Sequence, residues 1–241
     1  MPDTRMHRGP HPEDARLFAP AAWPALRAAT AELCWLLSRD YAPTSALQLV
    51  GDRHQLPGRQ RQAVERCACS DLARLGRETR RVAASTLASQ ALWLDGYNVL
   101  TTVEVALGGG VLLAAADGAL RDLASMHGTY RRVAETLPAL ELLGEACRLS
   151  GAREWRWYLD RPVSNSGRLK RIMEELAAAR GWPWTVELVP NPDAVLSATA
   201  EIIATADSVV LDRCRRWFNL AREVVERRVP AANVVPLADS T

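Results

Sequence analysis

The sequence predicts an α/β domain with a mostly parallel sheet, preceded by an all-helical region. Three observations carry this expectation. From Ser85 onward, short apolar runs alternate with stretches of helical length, the grammar of βαβ units. Before Ser85 the apolar residues recur near helical period. Several of the later apolar runs end in, or lead within a few residues to, an aspartate, and ligands gather outside the carboxyl ends of strands in open α/β sheets.

The elements follow in chain order. Pro20 to Asp40 holds Trp23, Leu26, Leu33, Trp35, Leu36 and Leu37 as one helical face, and Tyr41-Ala42-Pro43 breaks it. Thr44 or Ser45 caps a short helix through Leu49 and Val50, Gly51-Asp52-Arg53-His54 reads as a turn, and Pro57 opens a further helix. Two short helices about a Gly-containing turn resemble a helix-turn-helix arrangement; a plain helical hairpin with a solvated arginine face is the simpler reading. Residues 74–84 are expected as a connector. Strands are predicted at about 90–95, 111–115, 154–159, 184–189 and 200–205. Helices are predicted at about 97–107, 118–127, 133–150, 164–180, and 208–228 with a break. The chain thus divides into a helical, Arg-rich region (1–85), an α/β domain (86–230) and a tail (231–241) expected to be mobile.

Composition narrows the function classes. At 48% hydrophobic and 24% charged residues the chain is ordinary globular protein. No apolar run approaches the roughly 18 residues that span a bilayer, and no apolar stretch follows the charges of the amino terminus, so neither a membrane anchor nor a secretory leader is expected. Five cysteines without metal-site spacing are expected as reduced, mostly buried thiols of a cytoplasmic protein. Charge is uneven: residues 1–85 carry 13 Arg against nine acids, and 53–81 carry eight Arg against three. Lys170 is the only lysine, so nearly every positive charge is a guanidinium, suited to phosphate contacts; an Arg- and Ala-rich genome also accounts for it.

Asp95 ends the run LWLD, Asp160 ends RWYLD, Asp193 follows VELV, and Asp207 follows EIIATA, with Asp117 and Asp122 after VLLAA. Any one of these serves equally as a helix N-cap, Asp193 and Asp117 above all. Several converging at one sheet edge repel one another, and a divalent cation relieves that repulsion. Oxygen ligands without His or Cys point to Mg²⁺ or Mn²⁺, which activates water and neutralises charge on a phosphoryl oxygen. The expected chemistry is phosphodiester hydrolysis, with Asn98 orienting water or substrate. No G-x-G-x-x-G, P-loop or H-E-x-x-H motif is present.

Asp95-Gly96-Tyr97-Asn98 resembles the opening of NYN domains, a branch of the PIN-like ribonuclease superfamily, and Thr205 and Asp207 resemble that superfamily's late Thr/Ser-x-Asp signature. Asp160 stands in the place of its mid-chain acidic residue. The complete chain is similar to members of an uncharacterised prokaryotic family joining a basic helical segment to such a domain. The resemblance implies a three-layer α/β/α fold and metal-dependent cleavage of RNA, whether tRNA, rRNA or mRNA, with Asp95, Asp160 and Asp207 as metal ligands and Asp193 and Asp122 in reserve.

After Asp160, residues Arg161, Ser164, Asn165, Ser166 and Arg168 precede a helix and are expected to hold phosphates, as are Arg59, Arg61 and Arg66. His127 is expected at a helix end or against substrate. Trp155 and Trp157, and Trp182 and Trp184, are expected to split between the two faces of the sheet, with core packing the default role. Two other readings stay open: a non-catalytic RNA- or ribosome-binding protein on the same fold, and a metal-dependent hydrolase of small phosphoesters. Oligomeric state is not specified.

Overall fold

The computed structural model describes residues 6–124 and 128–238. The amino-terminal region is helical: α1 (Asp14–Leu17), α2 (Trp23–Leu37), α3 (Pro43–Arg53), α4 (Gly58–Cys67) and α5 (Asp71–Arg80). The α2 pattern buries Leu26, Ala29, Leu33 and Leu36 on one face, as its spacing predicts. Two local details differ from expectation. Helix α3 runs through the expected turn to Arg53. Ser70 accepts the Ala73 N–H and starts a second helix, α5, which runs on into the expected connector as far as Arg80.

The α/β domain continues with β1 (Ala91–Asp95), α6 (Gly96–Leu107), β2 (Val111–Ala114), β3 (Leu120–Asp122), α7 (Thr136–Ser150), β4 (Glu154–Asp160) and α8 (Ser166–Arg180). It closes with β5 (Trp184–Val189), α9 (Pro192–Ala198), β6 (Ile202–Ala204), α10 (Ser208–Arg213), β7 (Arg216–Trp217), α11 (Leu220–Arg228) and β8 (Asn233–Pro236). Five strands form one sheet in the order β5-β4-β1-β6-β7, and every neighbouring pair is parallel. One face is covered by a large cluster built from α6, α7, α8 and α11, including Leu100, Leu140, Met173 and Val224. The other face packs Ile203 and Trp217 against Leu196 of α9 and Val210 and Leu211 of α10. The result is helix, parallel sheet, helix.

Three expectations are corrected. The sequence predicts a helix over 118–127, but Leu120–Asp122 is a strand that returns antiparallel on β2. The Asp117-Gly118 pair makes the turn: Asp117 accepts the Ala119 N–H and Gly118 adopts φ +79°, a conformation that favours glycine. The expected mobile tail instead supplies β8, which pairs in parallel with β2, and Leu237 behind it is 1% exposed. The sheet β3-β2-β8 is separate from the main one, and Val111, Leu113 and Val235 share a hydrophobic cluster with Leu26, Leu33 and Val64 of the helical region. The third correction concerns the tryptophans. Residues two apart on a strand share a face, so Trp155, Trp157 and Trp184 pack together in one layer, edge to face.

All five cysteines are free, four of them buried. Among the described residues no helix is long and apolar enough to cross a membrane.

Gly96 opens α6 immediately after β1. A Cβ there would lie 2.7 Å from the Tyr158 carbonyl oxygen and 2.5 Å from Leu159 Cδ2. The carbonyl belongs to a paired strand and cannot yield, so Gly96→Ala is expected to cost about 1–3 kcal/mol. Urea denaturation measures it, and an unchanged midpoint would show that β1 and β4 have room to part.

Candidate active site

The sheet places Asp95 where its strand order reverses. The chain runs outward from β1 to β4 and β5, then crosses back to β6 on the other side of β1, so the switch point lies between the tips of β1 and β6. Asp95 ends β1, and Thr205-Ala206-Asp207 follows β6. The Asp95 carboxylate is 7% exposed. Its Oδ2 accepts the Thr205 hydroxyl at 2.7 Å, and its Oδ1 accepts the Asn98 N–H at 3.4 Å. The same Thr205 hydroxyl oxygen accepts the Asp207 N–H at 3.0 Å, bridging the two strand tips. Asp207 Oδ1 caps α10 through the N–H groups of Val209 and Val210. The cap role and the tip position coexist in one residue.

Burial pushes the Asp95 carboxyl up to about 7 against the help of Thr205, and the carboxylates of Asp193 and Asp207 push it further. Asp193 is itself raised by burial, then by Asp207 and Asp160. Its turn is capped by Asn191 instead. Asp160, at the tip of β4, is raised by burial. Asp193, held in reserve from the sequence, is thus a carboxylate that raises Asp95 and is itself raised by the charges of Asp207 and Asp160. Asp122 is held differently: it accepts the Thr102 hydroxyl and the Ala124 N–H.

A three-carboxylate cage is not formed. Among the described residues no group of three or more His, Cys, Asp or Glu could hold a metal ion. The donor set is nonetheless all oxygen, and Mg²⁺ keeps most of its water and is bound through one or two carboxylates plus substrate phosphates. The residues present fit that mode of binding.

The neutral partner is Asn98. Its Oδ1 accepts the Ala206 N–H at 2.7 Å, which fixes the amide's orientation and leaves Nδ2 as a donor. Asn98 and Asp207 line a cleft of about 510 Å³ with Gln62, Glu65 and Arg66 of α4 and with Asp122. The helical region therefore forms one wall of the strand-tip site. Arg66 donates to the Asp122 carbonyl at 2.7 Å and has no carboxylate partner among the described residues. Arg59 and Arg61 do not join it. Arg59 forms a two-pronged pair with buried Asp14, and Arg61 is held by the Leu56 carbonyl and Asp52.

The site also has support that the sequence reading missed. Buried Arg121 donates to the Ala206 carbonyl at 2.8 Å and to both oxygens of Asp117. Arg77 adds a bond to Asp117 at 2.6 Å and a two-pronged pair with Asp212. Ala206 is held at its N–H by Asn98 and at its carbonyl by Arg121. Burial opposes the charge of Asp117, yet the two guanidiniums hold its carboxyl down to about 2. An Arg four residues after an Asp in a turn was the available signal.

The loop after Asp160 is partly committed to structure. Arg161 donates to the Leu188 carbonyl, Ser166 is buried with its hydroxyl on the Arg161 carbonyl, and Asn165 donates to the Tyr130 carbonyl. Ser164 pairs through its backbone with Gly128 and Tyr130, and Arg168 lines a separate cleft with Arg131 and Arg132. His127 lies outside the described residues.

The family model described as Domain of unknown function (DUF5616) matches residues 84–223, and that described as Protein of unknown function (DUF434) matches 25–80. The chain is similar to Uncharacterized protein MJ0935 of Methanocaldococcus jannaschii, with 26% identity over 194 residues, covering 80% of this chain and 92% of that one. Neither matching model is an NYN or PIN-like one. No solved structure matches the chain.

Proposed function

The chain belongs to the DUF5616 family, and from its strand tips we propose a PIN-like, metal-dependent ribonuclease that hydrolyses RNA phosphodiester bonds. The observation that carries this reading is Asp95. A carboxylate 7% exposed and surrounded by like charge works against the fold at neutral pH. Such groups concentrate at functional sites.

Asp95 and Asp207 are the residues that would hold Mg²⁺ or Mn²⁺, with Asp193 and Asp160 nearby to bind its water shell. The ion, when bound, lowers the pKa of a water and neutralises charge on the phosphoryl oxygen. The chain's own groups do the rest. Thr205 holds the Asp95 carboxylate through Oδ2 and the Asn98 N–H holds it through Oδ1, so both oxygens are fixed in orientation at the strand tip. Asn98 Nδ2 donates to a phosphate oxygen without adding charge. Arg66, beside Asn98 in the cleft, neutralises a neighbouring phosphate.

One observation favours a second reading. The lack of a three-ligand group among the described residues suits a non-catalytic RNA-binding protein on the same fold. Titration calorimetry of the whole chain with Mn²⁺ separates them. Binding by the wild type, weakened about tenfold or more in Asp95→Asn, supports the nuclease. No Mn²⁺ binding by the wild type supports the binding protein. Of the predicted arginines, Arg66→Gln is expected to weaken RNA affinity without loss of stability. Arg59→Gln is expected to do the reverse, because its partner Asp14 is buried.

A further inference from the structure

A second cleft, of about 260 Å³, opens between the segment around Tyr130 and the first turn of α8. Its walls are joined by backbone bonds: Tyr130 N–H to the Ser164 carbonyl, and Ser164 N–H to the Gly128 carbonyl. The Asn165 side chain ties the walls again at the Tyr130 carbonyl. These bonds set Arg131 and Arg132 opposite Arg168. Among the described residues none of these three guanidiniums has a carboxylate partner, whereas half of the described arginines do.

No acidic side chain lines the cleft. Asn165 precedes α8 in the left-handed region (φ 70°) and spends its side chain on Tyr130, so the 15-residue helix has no side-chain cap. The positive end of its dipole adds to three unneutralised guanidiniums. Arginines that share a cleft without an acid repel one another, and an anion with several oxygens relieves that repulsion. Planar forks match phosphate oxygens in pairs.

We infer that the cleft between Tyr130 and α8 binds the phosphodiester backbone of an RNA strand through Arg131, Arg132 and Arg168. Only the loop 161–165 separates this cleft's helix from Asp160 at the β4 tip. A strand cut at Asp95 would be held a short distance from the cut. The inference rests on the nuclease reading for its choice of RNA. It narrows the earlier phosphate-binding set: Arg161 and Ser166 serve the loop, and Arg131 and Arg132 replace them.

The test measures binding of a single-stranded oligoribonucleotide to the Asp95→Asn chain across a salt series, where cleavage does not interfere. Each phosphate contact on a single strand contributes about 0.7 to the log–log salt slope. Replacing all three arginines by Gln is therefore expected to flatten the slope by about 2, and Arg132→Gln alone by about 0.7. An unchanged slope in the triple variant, with its unfolding transition intact, overturns the inference. Inorganic pyrophosphate distinguishes the source of the phosphate. If its binding needs the three arginines while the RNA slope does not, the cleft serves a free anion and the assignment to RNA is wrong. A flattened slope in a chain whose wild type cleaves nothing overturns the nuclease reading alone.

Discussion

Asp95→Asn is expected to be more stable than the wild-type chain at pH 8 and equal to it at pH 4. The folded state raises this carboxyl from 3.8 to about 7, so the fold disfavours the ionised form. The penalty is absent below the unfolded pKa, grows as pH rises through the interval from about 4 to about 7, and is complete above it. Three pKa units correspond to as much as about 4 kcal/mol. Asparagine is neutral throughout and keeps an oxygen for the Thr205 hydroxyl. Urea denaturation at pH 4, 6 and 8 reads the difference directly, and parallel curves at all three would show that Asp95 carries no burial penalty. Mn²⁺ should reverse the order at pH 8, because an ion bound only by the folded wild type adds stability by mass action.

Asp117→Ala is expected to be the most destabilising polar substitution, at about 3–5 kcal/mol. It leaves Arg121 buried with only the Ala206 carbonyl and removes one of two acids from Arg77. The pH dependence has the opposite sign from Asp95. A carboxyl lowered from 3.8 to about 2 contributes stability that is present above the unfolded value and lost as pH falls toward 2. That share is about 2–3 kcal/mol. Because Arg121 also holds Ala206, the variant should lose alignment of Thr205 and Asp207 and with it any Mn²⁺ affinity. A variant with wild-type stability and Mn²⁺ binding would mean that the Arg77–Asp117–Arg121 network neither supports the fold nor positions the site.

What the sequence made legible was local. The apolar run before Asp95, the Gly-Tyr-Asn that follows it, and the acids at the ends of β4 and after β6 are read from neighbouring residues, and the parallel sheet follows from the alternation of apolar runs with helices. What it hid depends on distant partners. Val234 and Val235 look like an apolar tail until β2 is beside them. Arg59 looks free until Asp14, 45 residues earlier, is packed against it. The residues after Asp117 looked helical because alanine and leucine suit either state, although Asp-Gly between two apolar runs was a hairpin signal in plain view. The part played by α4 in walling the cleft is a tertiary fact, invisible in α4 itself.

The most direct measurement is cleavage of a single-stranded RNA by the purified chain at pH 8 in Mn²⁺, with wild type and Asp95→Asn side by side. Wild type is expected to cleave, to stop on addition of EDTA, and to exceed the variant by about 10²–10⁴-fold. EDTA-sensitive cleavage by Asp95→Asn at the wild-type rate would contradict the account.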